Sequence, residues 1–211
     1  MTPSELRSWV GDMDIYLFDQ LLHDRFPPGT RLLDAGCGDG RNLVYFLRAG
    51  YDVYAVDRAP QAVAVVRRLA AALAPALPED RFRTGSLEEL HFPDAYFDTV
   101  IASAVLHFAT DHQHLGRMVG ELWRVLRPGG TLFARIASRN GIEDRIQPLG
   151  NGRYALPDGT ERFLVDDELL VGITNVLGGE LLDSIKTVNV QGLRCMSTWV
   201  VRKSTQEQVS T

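Results

Sequence analysis

Residues 31–40 read Arg31-Leu32-Leu33-Asp34-Ala35-Gly36-Cys37-Gly38-Asp39-Gly40. Arg31 to Ala35 is a short, mostly apolar strand. The glycines that follow force a sharp turn, and Arg41 to Arg48 then reads as a helix closed by Gly50. Gly36 and Gly38 carry no Cβ, so a ligand can come close to the backbone there. A helix N-terminus after such a turn offers free N–H groups. A second strand, Asp52 to Asp57, ends on an acid seventeen residues after Gly40. A carboxylate at that tip can accept both hydroxyls of a ribose. Together these pieces form a nucleoside- or dinucleotide-binding half of a doubly wound α/β fold. Two details narrow the ligand. The nicotinamide fingerprint needs a glycine at 41, where Arg41 stands. Asp34, just before the turn, repels a pyrophosphate and welcomes an ammonium or sulfonium group.

Outward from this unit the chain keeps alternating strand and helix, as a parallel sheet requires. An N-terminal helix is expected over Ile15 to Arg25, stopped by Pro27-Pro28-Gly29. Pro60 opens a helix with Val63, Val66, Ala70 and Leu73 on one face, and Pro75 and Pro78 end it. Strands follow near Arg81 to Gly85 and over Phe97 to Ser103. Asp111 caps a helix carrying Leu115, Met118, Val119, Leu122 and Leu126. Arg127 to Gly130 breaks it and leads into a fifth strand, Thr131 to Ala137. The stretch that follows is too long for a simple connection, and Pro157-Asp158-Gly159 turns a hairpin inside it, read as a flap. A helix from Asp166 and Asp167 to Leu177 and a final antiparallel hairpin, Leu181 to Val190 with Leu193 to Arg202, complete the pattern. The expected fold is a three-layer α/β/α sandwich on a seven-stranded, mostly parallel sheet with an antiparallel C-terminal strand. It forms a single domain over 1–203, with an N-terminal helical cap at 1–29, a flap insertion at 139–165 and a polar tail at 204–211.

The composition agrees. Of 211 residues, 45% are hydrophobic and 23% charged, which excludes a disordered or fibrous chain. No apolar run approaches the ~18 residues of a membrane span. Glu5, Arg7, Asp12 and Asp14 interrupt the N-terminus, so it does not read as a secretory signal. The formal charge is −5 without a basic block, so a nucleic-acid partner is not favoured. Cys37 and Cys195 form no CxxC pair, which fits a reducing, cytoplasmic setting. The only lysines, Lys186 and Lys203, leave Schiff-base and Walker-type chemistry almost without a candidate.

Four stretches carry a resemblance. Leu33 to Gly40 resembles the first motif of the class I S-adenosylmethionine-dependent methyltransferases, and Asp57 matches their ribose-binding acid. Gly85-Ser86-Leu87-Glu88-Glu89-Leu90 through Asp98 looks like their segment before the fourth strand. Leu126-Arg127-Pro128-Gly129-Gly130 is similar to their turn before the fifth. Gly40-Arg41-Asn42-Leu43 and Ala49-Gly50-Tyr51-Asp52-Val53 resemble the small-molecule branches, of the tellurite-resistance and ubiquinone-biosynthesis kind. The resemblance implies S-adenosylmethionine as co-substrate. Asp34, Ala35, Gly36 and Gly38 would face its methionine part, Asp57 the ribose and Arg58 the adenine. Ser86 stands where the family commonly has an acid for the adenine amino group. Leu87 would add a backbone N–H and an apolar contact, and Ser103 and Ala104 would edge the methyl group.

The acceptor side is expected after the fourth and fifth strands, with the N-terminal helix and the flap. His107 is the candidate base or acceptor-binding group, or else a hydrogen-bonded structural histidine. Arg135, Arg145, Arg153 and Arg162 could recognise an anionic acceptor or pair with nearby acids. Tyr16 could close over the donor. No metal is expected, because His112 and His114 are two apart and point to different sides of a helix. The implied reaction is in-line methyl transfer to an O, N, S or chalcogen atom of a small molecule. RNA or protein methylation, and donor binding without turnover, are the alternatives.

Overall fold

In the computed structural model, which describes residues 2–205, the glycine turn lies at the carboxyl end of a central strand. The chain opens with α1 (Pro3–Val10) and α2 (Ile15–Leu22). It then alternates β1 (Arg31–Ala35), α3 (Val44–Arg48), β2 (Asp52–Asp57), α4 (Pro60–Leu73), β3 (Phe82–Thr84), β4 (Phe97–Ser103), α5 (His112–Val125) and β5 (Leu126–Ser138). An insertion holds β6 (Gln147–Gly150), β7 (Arg153–Ala155) and β8 (Glu161–Phe163). The chain continues through α6 (Asp167–Val176), β9 (Gly179–Leu181), β10 (Lys186–Val190) and β11 (Arg194–Lys203). Of the expected polar tail, residues 206–211 lie outside the described residues.

The main sheet runs β10-β11-β5-β4-β1-β2-β3, with β9 on β11. Strands β1 to β5 pair in parallel, and β11 is antiparallel to β5, β9 and β10. On one face Leu17, Phe46, Val63 and Val66 of α2, α3 and α4 meet Leu32, Val53 and Ile101 of the sheet. On the other, Leu115, Leu122 and Leu170 of α5 and α6 pack on Leu33, Val100 and Leu132. Burial on both faces explains why the central strands are nearly continuous apolar runs. Strand order reverses between β1 and β4, and such a switch point opens a crevice at the carboxyl ends of the strands.

The structure corrects several boundaries. The sheet has eight strands rather than seven, because the expected strand over 181–190 is broken. In the break Asp183 turns to α2, where it accepts from Gln20 Nε2 at 2.8 Å and lies 3.8 Å from Arg25. α2 ends at Leu22 instead of Arg25, with Asp24 at positive φ. β5 starts earlier than expected. Leu126 already pairs with Phe97, and the register then shifts so that Thr131 meets Thr99. The Arg-Pro-Gly-Gly stretch is therefore a bulge in a continuing strand. A Cβ on Gly130 would lie 2.8 Å from the Asp98 carbonyl oxygen. The flap gains a third strand, β6, beside its hairpin. Finally, α3 is only five residues long, because Arg41 to Leu43 form turns in place of its expected first turn. Asn42 in those turns accepts from the Asp14 N–H at 3.0 Å and ties the N-terminal segment down.

Candidate active site

The crevice is built from the turn upward. The Gly36 and Cys37 N–H groups donate to the Val56 carbonyl, at 2.8 and 3.1 Å, which folds the turn over the end of β2. Asp57 completes it. Its Oδ2 accepts from the Gly38 N–H at 2.9 Å and its Oδ1 from the Ala59 N–H at 2.9 Å. The anion thus fixes the turn before β2 and the entry to α4 together. Because α3 is short, these donors belong to the turn and not to a long helix N-terminus.

Gly36 has φ 78°, and a Cβ there would lie 2.7 Å from Val105 Cβ and closer still to Cγ2. Gly36→Ala is therefore expected to lower stability by about 2 kcal/mol, from positive-φ strain and overpacking. Urea unfolding checks this, and a second change, Val105→Ala, should recover roughly half.

A cavity of about 290 Å³ opens beside the turn. Gly36, Gly38, Asp57, Arg58, Ser86, Leu87 and Ala104 line it, all expected from the sequence. They come from the carboxyl ends of β1, β2, β3 and β4. Glu88, Val105, Phe108, His114 and Met118 line it as well. Of these, His114 and Met118 are four apart on α5 and share a helix face, a spacing that could have flagged them.

Three expected residues lie below the cavity rather than in its wall. Ala35 is fully buried in the core. Ser103 is buried, and its hydroxyl has no partner among the described residues. Asp34 is 1% exposed, and its Oδ2 has no partner among the described residues. Burial pushes its carboxyl up to about 7, Arg41 opposing and the Asp57 and Asp39 charges adding to the rise.

The expected acceptor side divides in two. His107 lies in a 3₁₀ turn, Leu106–Phe108, directly after β4. It is buried, its Nδ1 has no partner among the described residues, and burial followed by the Arg162 charge lowers its pKa to about 4. It is a neutral imidazole at physiological pH. Its neighbour Phe108 reaches the cavity, and the guanidinium groups of Arg58 and Arg162 lie 5.7 and 5.0 Å from that ring. Arg162 is carried by β8, so the flap packs at the cavity mouth. Tyr16 and Arg135 form a separate cluster. Arg135 donates to the buried Asp14 carboxylate at 2.6 Å and lies over the Tyr16 ring at 4.8 Å. The arginines expected to converge do not. Arg135 serves Asp14, Arg153 pairs with Glu161 at 3.1 Å, and Arg145 lies against the Gly192 turn. Their carboxylate and backbone neighbours hold them apart. The His112 ring meets Phe163 while the His114 ring turns to Glu88, so the two histidines diverge.

A sequence profile described as a methyltransferase domain matches residues 33–134, from β1 into β5. Over residues 33–134 this chain matches the methyltransferase domain family. Malonyl-[acyl-carrier protein] O-methyltransferase of Serratia marcescens is 37% identical over 125 residues, which are 59% of this chain and 43% of that protein. Ubiquinone biosynthesis O-methyltransferase of Methylocella silvestris is 37% identical over 159 residues, 71% of this chain and 59% of that protein. The chain thus spans about half the length of these curated relatives. A SAM-dependent methyltransferase from Methanosarcina mazei shares the fold at TM-score 0.71 and 21% identity, covering 88% of this chain and 98% of that one. The part of the methyltransferase domain matched by the profile contains the glycine turn, Asp57, Ser86 to Glu88 and the 3₁₀ turn. The flap and the N-terminal helices lie outside it.

Proposed function

We propose that this chain binds S-adenosylmethionine in the cavity beside the glycine turn and transfers its methyl group to a small molecule held under the flap. The observation that carries this reading is the wall itself. Gly36, Gly38, Asp57, Ser86 and Ala104 come from the ends of four strands and meet around one space. The space stands at the low end of ligand pockets, which hold roughly 300–1,000 Å³, and suits a nucleoside. A Cβ on Gly38 would meet nothing within 4 Å, so the backbone there is open to a ligand. Asp57 is already oriented by two backbone N–H groups and keeps lone pairs for ribose hydroxyls. Asp34, protonated in part at neutral pH, is poised to ionise against a cationic ligand.

The bound sulfonium supplies a methyl group that leaves without covalent help. The chain's part is to align the acceptor with it and exclude water. Phe108, Arg162 and the flap close the mouth. His107 offers a neutral nitrogen at the end of β4 and is too weakly basic to remove a proton from a neutral alcohol. An acceptor that is already ionised suits it best. Both relatives are named O-methyltransferases, so an oxygen acceptor is the first to test, ahead of nitrogen, sulfur or a chalcogen. Two free, buried thiols, Cys37 and Cys195, suit a reducing cytoplasmic setting. Calorimetry with S-adenosylhomocysteine should show one saturable site, and label from methyl-labelled donor should enter a small-molecule extract. No binding at millimolar ligand overturns the reading. Binding with label found only in RNA or protein redirects it to macromolecular acceptors.

A further inference from the structure

α5 and α6 cover one face of the sheet and turn their outer surfaces to solvent. α5 runs from the carboxyl end of β4 to the start of β5. α6 runs from the flap to β9, whose Glu180 pairs with Arg202, itself opposite Thr131 of β5. Both helices thus travel toward the amino ends of the parallel strands and lie parallel, side by side. Between them opens a groove of about 830 Å³, with Val119, Leu169, Ile173 and Leu177 in its walls. Val176 stands on its α6 bank and is 85% exposed.

Three glycines leave this face bare. Gly116 and Gly120 are one turn apart on α5, and Gly172 lies on α6. A Cβ at any of them would meet nothing within 4 Å. No group among the described residues fills that space, and glycine is a poor helix former, so packing inside the chain does not account for it. The levels along the two helices also match. A Cβ on Gly179 would lie 2.9 Å from Trp123 Cη2, so the end of α6 is level with Trp123. Three residues back on each helix stand Val176 and Gly120, a protruding side chain level with a gap. The two banks differ in charge. Arg124 and Arg139 have carboxylate partners. Arg117 on the outside of α5 and Glu168 in the first turn of α6 are exposed and form no ion pair among the described residues.

We propose that this face joins two copies of the chain about a two-fold axis running along the groove. Such an axis lays α5 of one copy over α6 of the other and keeps their levels. Val176 of each copy then enters the gap over Gly120 of the other, and the apolar walls of the groove leave water. Arg117 of each copy reaches the bank where Glu168 of the other stands. Knob and gap, cation and anion lie on one patch, so the contact is self-complementary and closes at a dimer. The pairing does not depend on donor binding.

Sedimentation velocity on the full chain tests this. Two helices a side make a small interface that holds weakly, so the parent should pass from monomer to dimer between about 1 and about 200 µM. Gly120→Gln fills the gap with a better helix former. It should raise the unfolding midpoint of the dilute protein and weaken dimerisation at least tenfold, a combination that damage to the fold cannot produce. Arg117→Glu and Glu168→Lys, each at an exposed site, should each weaken the dimer about fivefold, because like charges then face each other. Together they should restore it to within about twofold of the parent, since the reversed charges attract again. A chain that stays monomeric over the whole range overturns the proposal. A dimer that ignores Gly120→Gln overturns it as well, because the contact then lies on another face. A double reversal no stronger than the single ones overturns the two-fold arrangement.

Discussion

Asp57→Ala is expected to lower donor affinity at least a hundredfold and to cost about 3 kcal/mol of stability in the absence of ligand. Both effects have one origin. The carboxylate is the shared acceptor for the Gly38 and Ala59 N–H groups, each at 2.9 Å. Hydrogen bonds to a charged group contribute roughly 1.5–3 kcal/mol each. The residue is partly exposed, so the lower end applies. Without the anion, the glycine turn and the first turn of α4 lose their common anchor, and the donor's ribose loses its partner. Asp57→Asn separates the two roles. Its amide keeps one acceptor oxygen and so retains about half the stability, but it offers a poorer partner to a diol. Urea unfolding without ligand, set beside calorimetry with S-adenosylhomocysteine, measures both. An alanine variant that unfolds at the parent's midpoint would contradict the anchoring geometry. One that binds donor as the parent does would remove Asp57 from the site.

The elements legible in the sequence are those whose physics is local. β1, β2 and β4 have the expected bounds, because apolar runs buried on both faces end sharply at polar turns. α4 and α5 start where Pro60 and the Asp111 cap place them. The misread boundaries depend on partners far away in the chain. The Arg127 to Gly130 stretch has the chemistry of a break, yet Leu126 is held in the sheet by Phe97, and the strand continues around a bulge. Arg41 to Leu43 has helical character, but Asn42 is drawn to Asp14. The site divides the same way. Gly36, Gly38 and Asp57 are legible because strand ends and glycines announce them, whereas Ser86 is reached only through the resemblance of its segment. Glu88 and Phe108 are not legible, since each meets side chains on other elements in the cavity wall. The Arg135–Asp14 pair spans from the fifth strand to the N-terminus, and no local pattern foretells it.

Asp34→Asn is expected to stabilise the protein and impair it. The folded carboxyl is raised from 3.8 to about 7, chiefly by burial. The folded state therefore holds this proton more tightly than the unfolded chain does. Stability linked to the group is intact below pH 4 and is lost as pH rises toward 7. Above that the loss is complete and corresponds to as much as about 4 kcal/mol. The neutral amide avoids it. The gain from the substitution should be near zero at pH 4, grow between pH 4 and 7, and level off beyond. Unfolding midpoints measured across that range give the curve, and a gain that is flat with pH would show that Asp34 ionises in the fold as freely as in water. The parent keeps a costly group because its cost falls when a cation arrives. A sulfonium or ammonium nearby favours the ionised form, so donor binding near pH 7 should release a proton. Calorimetry in buffers of different ionisation enthalpy reads that proton directly. In the asparagine variant the release should vanish and the affinity should fall. The same charge that weakens the empty fold thus strengthens the loaded one, which is why a carboxylate can persist in a place where an amide would fold better.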